Sequence, residues 1–174
     1  MLLDLIDVKK LRKALAYGLY MLVFLVLQNM VFSKISILGV KALFLPGMCA
    51  AVGLLEGGVF GGIFGLFCGF LSDMSFAENT VLFAVLYPII GFFSGFAGKF
   101  LFSRRFGSYM VLAVFSVFFT AFCQGILAVA AGGSFSAILE ISVKQGLWSA
   151  PLTAALYPPA HLIYSRFAPN ERRK

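Results

Sequence analysis

From Ala14 to Phe32, and again from Tyr109 to Ala131, the sequence carries no charged residue. Runs of about 20 apolar residues are long enough to cross a bilayer. In lipid the backbone must satisfy its own hydrogen bonds, which leaves helices or closed barrels. Only 12% of the 174 residues are charged, where a soluble domain carries about 25%. Mean hydropathy is +0.97. These features predict one integral membrane domain over 1–174 with no separate soluble part. The net charge of +7 does not point to nucleic acid, because the basic residues sit in short clusters between apolar runs, where they act as topology signals. Cys49, Cys68 and Cys123 lie inside apolar runs and form no CxxC or Cys/His set. They predict neither disulfide nor metal site and read as small packing residues.

The second constraint is glycine spacing. Gly53, Gly57, Gly61, Gly65 and Gly69 recur every fourth residue, with Gly58 and Gly62 beside them. Each interior glycine weakens a helix in water by about 1 kcal/mol relative to Ala. In a bilayer the same spacing lets another helix approach closely. The expectation is a tightly packed helix around which the other spans assemble, with these five glycines as its packing face.

In chain order, residues 1–13 form a basic cytoplasmic stub, and Ala14–Phe32 is the first span, retained as an anchor. Ser33–Lys41 connects to an apolar stretch ending at Leu71 and interrupted by Glu56-Gly57-Gly58. Thirty residues in one helix would be about 45 Å long, too long for one span without strong tilt. The stretch therefore splits into Ile37–Leu55 and Gly57–Ser72. Thr80–Gly98, with Pro88 as a kink, Tyr109–Ala131 and Gln145–Tyr164 follow as spans four to six. Pro158-Pro159 falls near the end of the sixth. Gly132–Lys144 is a loop with room for a short interfacial helix, and 166–174 a basic tail.

The charges support this division. With six spans and both ends inside, 11 of the 14 basic residues lie on the inner side, as the positive-inside rule requires. Fusing spans two and three moves seven of those 11 to the outer side. Tyr17, Tyr20, Tyr109 and Tyr164 then fall at the inner interface and Trp148 at the outer, as aromatic belts. The fold class is all-α, a polytopic membrane protein with six transmembrane helices, N-in and C-in.

Ionisable groups in membrane segments are functional candidates. Glu56 either caps the third helix or contacts a partner. Asp73 stands at a helix C-terminus, where it opposes the dipole and calls for a partner; structural anchoring and functional contact both fit. Asn79 is suited to cap the fourth helix. Gln28, Asn29 and Gln124 read as interhelical hydrogen-bonders, and the lone His161 as interfacial. No catalytic constellation is recognisable: there is no G-x-S-x-G elbow, H-E-x-x-H or paired-acid motif. Spans four to six offer few polar residues to line a ligand pocket, Gln124 and Trp148 being the best.

Pro46, the turn Leu55-Glu56-Gly57, the segment Gly69-Phe70-Leu71-Ser72-Asp73, Asn79 and the segment Gly91-Phe92-Phe93-Ser94-Gly95 together resemble the MreD family of bacterial rod shape-determining membrane proteins. Two positions depart from its pattern: Gly47 where the family often has an acid, and Glu78 where it tends to have glycine. The resemblance implies a fold similar to the S-component of energy-coupling-factor transporters and a location in the bacterial inner membrane. It implies a non-catalytic scaffold without cofactor or metal that regulates cell shape and lateral peptidoglycan synthesis. Its partners would be an MreC-like bitopic protein, an MreB-like filament, a RodA-type glycosyltransferase and a class B transpeptidase, with membrane lipid around it. Arg104, Arg105 and the tails would face cytoplasmic partners, and Glu56, Asp73 and Asn79 would be contact candidates. A vitamin-binding S-component is the alternative, for which Ala14 and Gly18 have the spacing of a small-xxx-small docking motif.

Overall fold

A computed structural model describes residues 8–32, 36–37, 40–41, 43–75, 81–100, 105–130 and 135–167. Among the described residues the structure is all-helical apart from one two-residue strand pair. Helix α1 (Val8–Leu27) runs into a π-helical turn over Gln28–Phe32. Strands β1 (Ser36–Ile37) and β2 (Val40–Lys41) pair antiparallel, Ser36 opposite Lys41. Five longer helices and a shorter last one follow: α2 (Leu45–Glu56), α3 (Gly58–Ser75), α4 (Leu82–Phe100), α5 (Phe106–Ala130), α6 (Phe135–Ala154) and α7 (Tyr157–Phe167).

Four stretches are long and apolar enough to cross a membrane: Leu11–Met30, Gly58–Ser75, Leu82–Phe100 and Phe106–Ile126. The protein is accordingly a membrane protein. The second expected span contains a helix of only 12 residues, α2, which at 1.5 Å per residue is about 18 Å long, against a hydrocarbon core of ~30 Å. The sixth is broken. Its first part lies in α6, a turn at Ala155 and Leu156 interrupts it, and α7 completes it. Pro158 and Pro159 start α7 instead of ending a span; near a helix start their missing N–H groups cost least. The helix within the Gly132–Lys144 connection is not a separate short one: it starts at Phe135 and continues without a break as α6.

The centre of the molecule is α2, not the glycine helix. Every residue from Leu45 to Leu55 is buried. The helix packs against α3, α4, α5, α6 and α7. Gly47, Cys49, Ala50, Ala51 and Gly53 are small, which lets the neighbouring helices approach α2 closely. Pro46 sits in its first turn and sacrifices no hydrogen bond. By contrast α3 buries only the stripe Gly61, Phe64, Gly65, Cys68, Gly69 and Ser72. Val59 on its other face is 73% exposed, and Ile63, Leu66, Phe67 and Phe70 are also more than half exposed. That side faces lipid. The expectation of a glycine rod enclosed by all other spans is corrected accordingly.

Candidate packing and contact sites

The glycines build a three-helix junction. Gly57 joins α2 to α3 with φ of +104°, a conformation in which a side chain is strained. Its N–H donates to the Gly53 carbonyl at 2.8 Å, and its carbonyl accepts the Gly61 N–H at 2.9 Å. The reversal therefore takes one residue, and Gly53 and Gly61 are brought face to face: a Cβ on Gly61 would lie 2.5 Å from the Gly53 Cα. Gly57 does not belong to the packing face. A Cβ there would meet nothing within 4 Å, because the residue is the hinge between two helices.

The other four glycines pack as a face, and the main partner is α4. A Cβ on Gly53 would strike the Gly91 carbonyl, on Gly65 the Tyr87 carbonyl, and on Gly69 the Phe83 carbonyl. The closeness is mutual, since a Cβ on Gly91 would strike the Gly61 carbonyl and one on Gly95 the Gly58 amide. Two stripes with a four-residue period therefore interlock backbone to backbone. On α4 the stripe is Gly91 and Gly95; a Cβ on Gly98 would instead meet Leu54 of α2.

Glu56 ends α2 and turns toward α1. Its carboxylate is ion-paired with Lys13 and accepts a hydrogen bond from the Tyr17 hydroxyl at 2.8 Å. The Glu56 side chain is only 7% exposed and that of Lys13 is 24% exposed. Tyr17 packs edge-on against Phe64 of α3. The acid therefore fastens α1 to the α2–α3 reversal.

Asp73 has the partner that its position demanded. Its two oxygens accept the backbone N–H groups of Phe83 at 3.1 Å and Ala84 at 2.7 Å. These are among the first, otherwise unsatisfied, donors of α4. A carboxylate that is unfavourable at its own helix C-terminus becomes favourable at the neighbour's N-terminus. Asp73 thus caps α4; Asn79, also expected as a cap there, lies outside the described residues, as does Arg104. Arg105 is described and exposed.

Three of the four tyrosines expected as an interfacial belt are inside, and Tyr164 is half-buried. Tyr17, Tyr20 and Tyr109 are all buried. The Tyr20 hydroxyl donates to the Leu156 carbonyl at 3.0 Å, and the Tyr109 hydroxyl donates to the Thr153 carbonyl. Thr153 precedes the break between α6 and α7 and Leu156 lies within it, where the turn and the two prolines loosen the helical ladder. Buried hydroxyls on α1 and α5 fasten the interruption. Sequence reasoning missed this because tyrosine near a span end suits either location.

It also missed a polar seam between α5 and α6. Ser116, Thr120, Ser142, Ser149 and Thr153 are buried, and Gln145 nearly so. Most are bound within the fold. Ser116 donates to the Ala113 carbonyl, Thr120 to that of Ser116, and Thr153 to that of Ala150. Ser149 accepts the Leu43 N–H at 2.9 Å. In the π-helical turn after α1, Gln28 accepts the N–H groups of Phe44 and Leu45 with its Oε1 and so caps α2. Gln28 Nε2, Ser142 Oγ and Trp148 Nε1 are buried with no partner among the described residues. The spacing 142, 145, 149, 153 was legible, but small hydroxyls on an apolar helix give little contrast.

Among the described residues no group of three or more His, Cys, Asp or Glu is placed to hold a metal. Cys49 and Cys68 are buried free thiols. His161 is exposed and stacks on Tyr157 at 5.5 Å between ring centroids. No protein-family model, curated protein or solved structure matches the chain.

Proposed function

We propose that the protein is a non-catalytic scaffold of the bacterial cell-elongation machinery, an MreD-like protein of the inner membrane. In this reading it couples an MreC-like bitopic protein and an MreB-like filament to a RodA-type glycosyltransferase and a class B transpeptidase. The motif resemblance suggests the machinery. The observation that carries the scaffold role is the use of the body's acids: Glu56 holds α1, and Asp73 holds α4. Charged groups that would mark a reaction centre or an ion path are committed to architecture, around a backbone-to-backbone glycine lock suited to a rigid body.

The proposed topology has six crossings, with α2 and the residues before it as one and the broken α6–α7 segment as another. Interhelical contacts are consistent with it. Lys13 meets Glu56 at one end of the bundle, while Asp73 meets the start of α4 at the other. A broken helix is tolerated at membrane depth where protein buries it, as Tyr20 and Tyr109 do here.

One observation favours a second reading, a vitamin-binding S-component: the unpaired buried groups on Gln28, Ser142 and Trp148 would suit a small polar ligand. Depletion in the host, with cell width followed by microscopy, separates the two when combined with vitamin titration of the purified protein. Rounding or swelling without vitamin binding supports the scaffold. Nanomolar vitamin binding with normal cell width refutes it.

A further inference from the structure

Helices α4 and α5 do not close on each other as α3 and α4 do. Between them lies a cleft of about 440 Å³, walled by Phe93, Ser94, Phe96, Leu112, Phe115 and Ser116 among others. Its lining extends along α4 from Ile89 to Ala97, about 12 Å at 1.5 Å per residue. Apart from the hydroxyls of Ser94 and Ser116 its lining is apolar, a surface suited to a hydrocarbon chain.

One end of it is basic. Phe96 of the wall stacks on Phe100 at 4.6 Å, and the Lys99 ammonium lies 5.5 Å from the Phe100 ring centroid. On the facing helix, Arg105 precedes Leu112 by seven residues, two turns along the same face. The Arg105 carbonyl accepts the Tyr109 N–H at 3.1 Å, so the residue belongs to the first turn. Lys99 and Arg105 are exposed, and neither is paired with a carboxylate among the described residues.

We propose that this cleft binds an anionic phospholipid from the leaflet adjoining the α4–α5 connection. One acyl chain lies along the phenylalanine wall, and the phosphate sits between Lys99 and Arg105. The apolar wall accepts the chain of any lipid; the two unpaired cations select the negative headgroup, as basic pockets between membrane helices do.

The test uses the full chain purified in detergent, given equal amounts of phosphatidylglycerol and phosphatidylcholine with identical chains, with bound lipid counted by native mass spectrometry. Phosphatidylglycerol is expected to be retained preferentially. Lys99→Gln and Arg105→Gln should each lower its retention about five-fold, the equivalent of ~1 kcal/mol per basic residue, and leave phosphatidylcholine unchanged. Lys144→Gln should change neither. Ala97→Phe, which fills the cleft, should lower retention of both lipids. Both glutamine variants alter exposed residues, so they remain informative even if Ala97→Phe does not fold. Equal retention of the two lipids, or a preference that survives both glutamine variants, overturns the proposal. So does a second copy of the chain that binds in place of lipid and is lost in Ala97→Phe.

Discussion

Gly65→Ala tests the glycine lock at one methyl group. In the structure that methyl would collide with the Tyr87 carbonyl oxygen, and it would lie 2.6 Å from the carbonyl carbon and 2.8 Å from Pro88 N. Carbon atoms pack favourably at about 3.5–4.0 Å, so α3 and α4 must separate by roughly 1 Å. The obstacle is backbone on both sides, and no rotamer relieves it. A gap of 0.5–1 Å already forfeits about a quarter to a half of the dispersion energy of the atoms lining it. The loss would extend to Gly61, Gly69, Gly91 and Gly95, which share the seam. The expected destabilisation is ~3 kcal/mol, at the upper end for overpacking. Gly62→Ala is the control on the same helix: its methyl would meet the Phe92 Cβ at 3.7 Å, an ordinary contact. It should be neutral, or stabilising by up to ~1 kcal/mol through helix propensity. Reversible unfolding in mixed micelles, followed by circular dichroism, measures both. If Gly65→Ala unfolds no more easily than Gly62→Ala, the close approach of α3 and α4 does not hold and the reasoning fails.

Glu56→Gln should destabilise by ~1–3 kcal/mol, below the usual cost of breaking a fully buried pair because Lys13 is partly exposed. The double variant Lys13→Met/Glu56→Gln should recover part of the loss, and a double-mutant cycle showing no coupling would refute the pairing. Asp73→Ala should cost ~0.5–2 kcal/mol, as loss of an N-cap does, and speed hydrogen exchange at the Phe83 and Ala84 amides; unchanged exchange there would count against the cap. Tyr20→Phe and Tyr109→Phe should each cost ~0.5–1.5 kcal/mol by removing one buried hydrogen bond, read from the same unfolding titration. If both are silent, the α6–α7 break does not depend on those hydroxyls. Single cysteines at Lys13 and Arg166 should label from one side of the membrane and a cysteine at Met74 from the other; any other pattern rejects the six-crossing topology.

The sequence by itself determined that the chain lives in a membrane and is helical, because uncharged runs of this length leave the backbone no other way to satisfy itself. It also located the α2–α3 reversal at Glu56-Gly57 and the four-residue glycine period, since both are local patterns. It could not say which helix is central. Hydropathy assigns α2 and α3 the same apolar character, and only packing shows that α2 is enclosed on every side while half of α3 faces lipid. Nor could it assign partners across the fold. Asp73 caps α4, Glu56 grips Lys13, and Tyr20 and Tyr109 fasten a break near Leu156. Each of these depends on which helices become neighbours, and that choice belongs to the assembled bundle, where side chains distant in sequence compete for the few polar groups that lipid leaves unsatisfied.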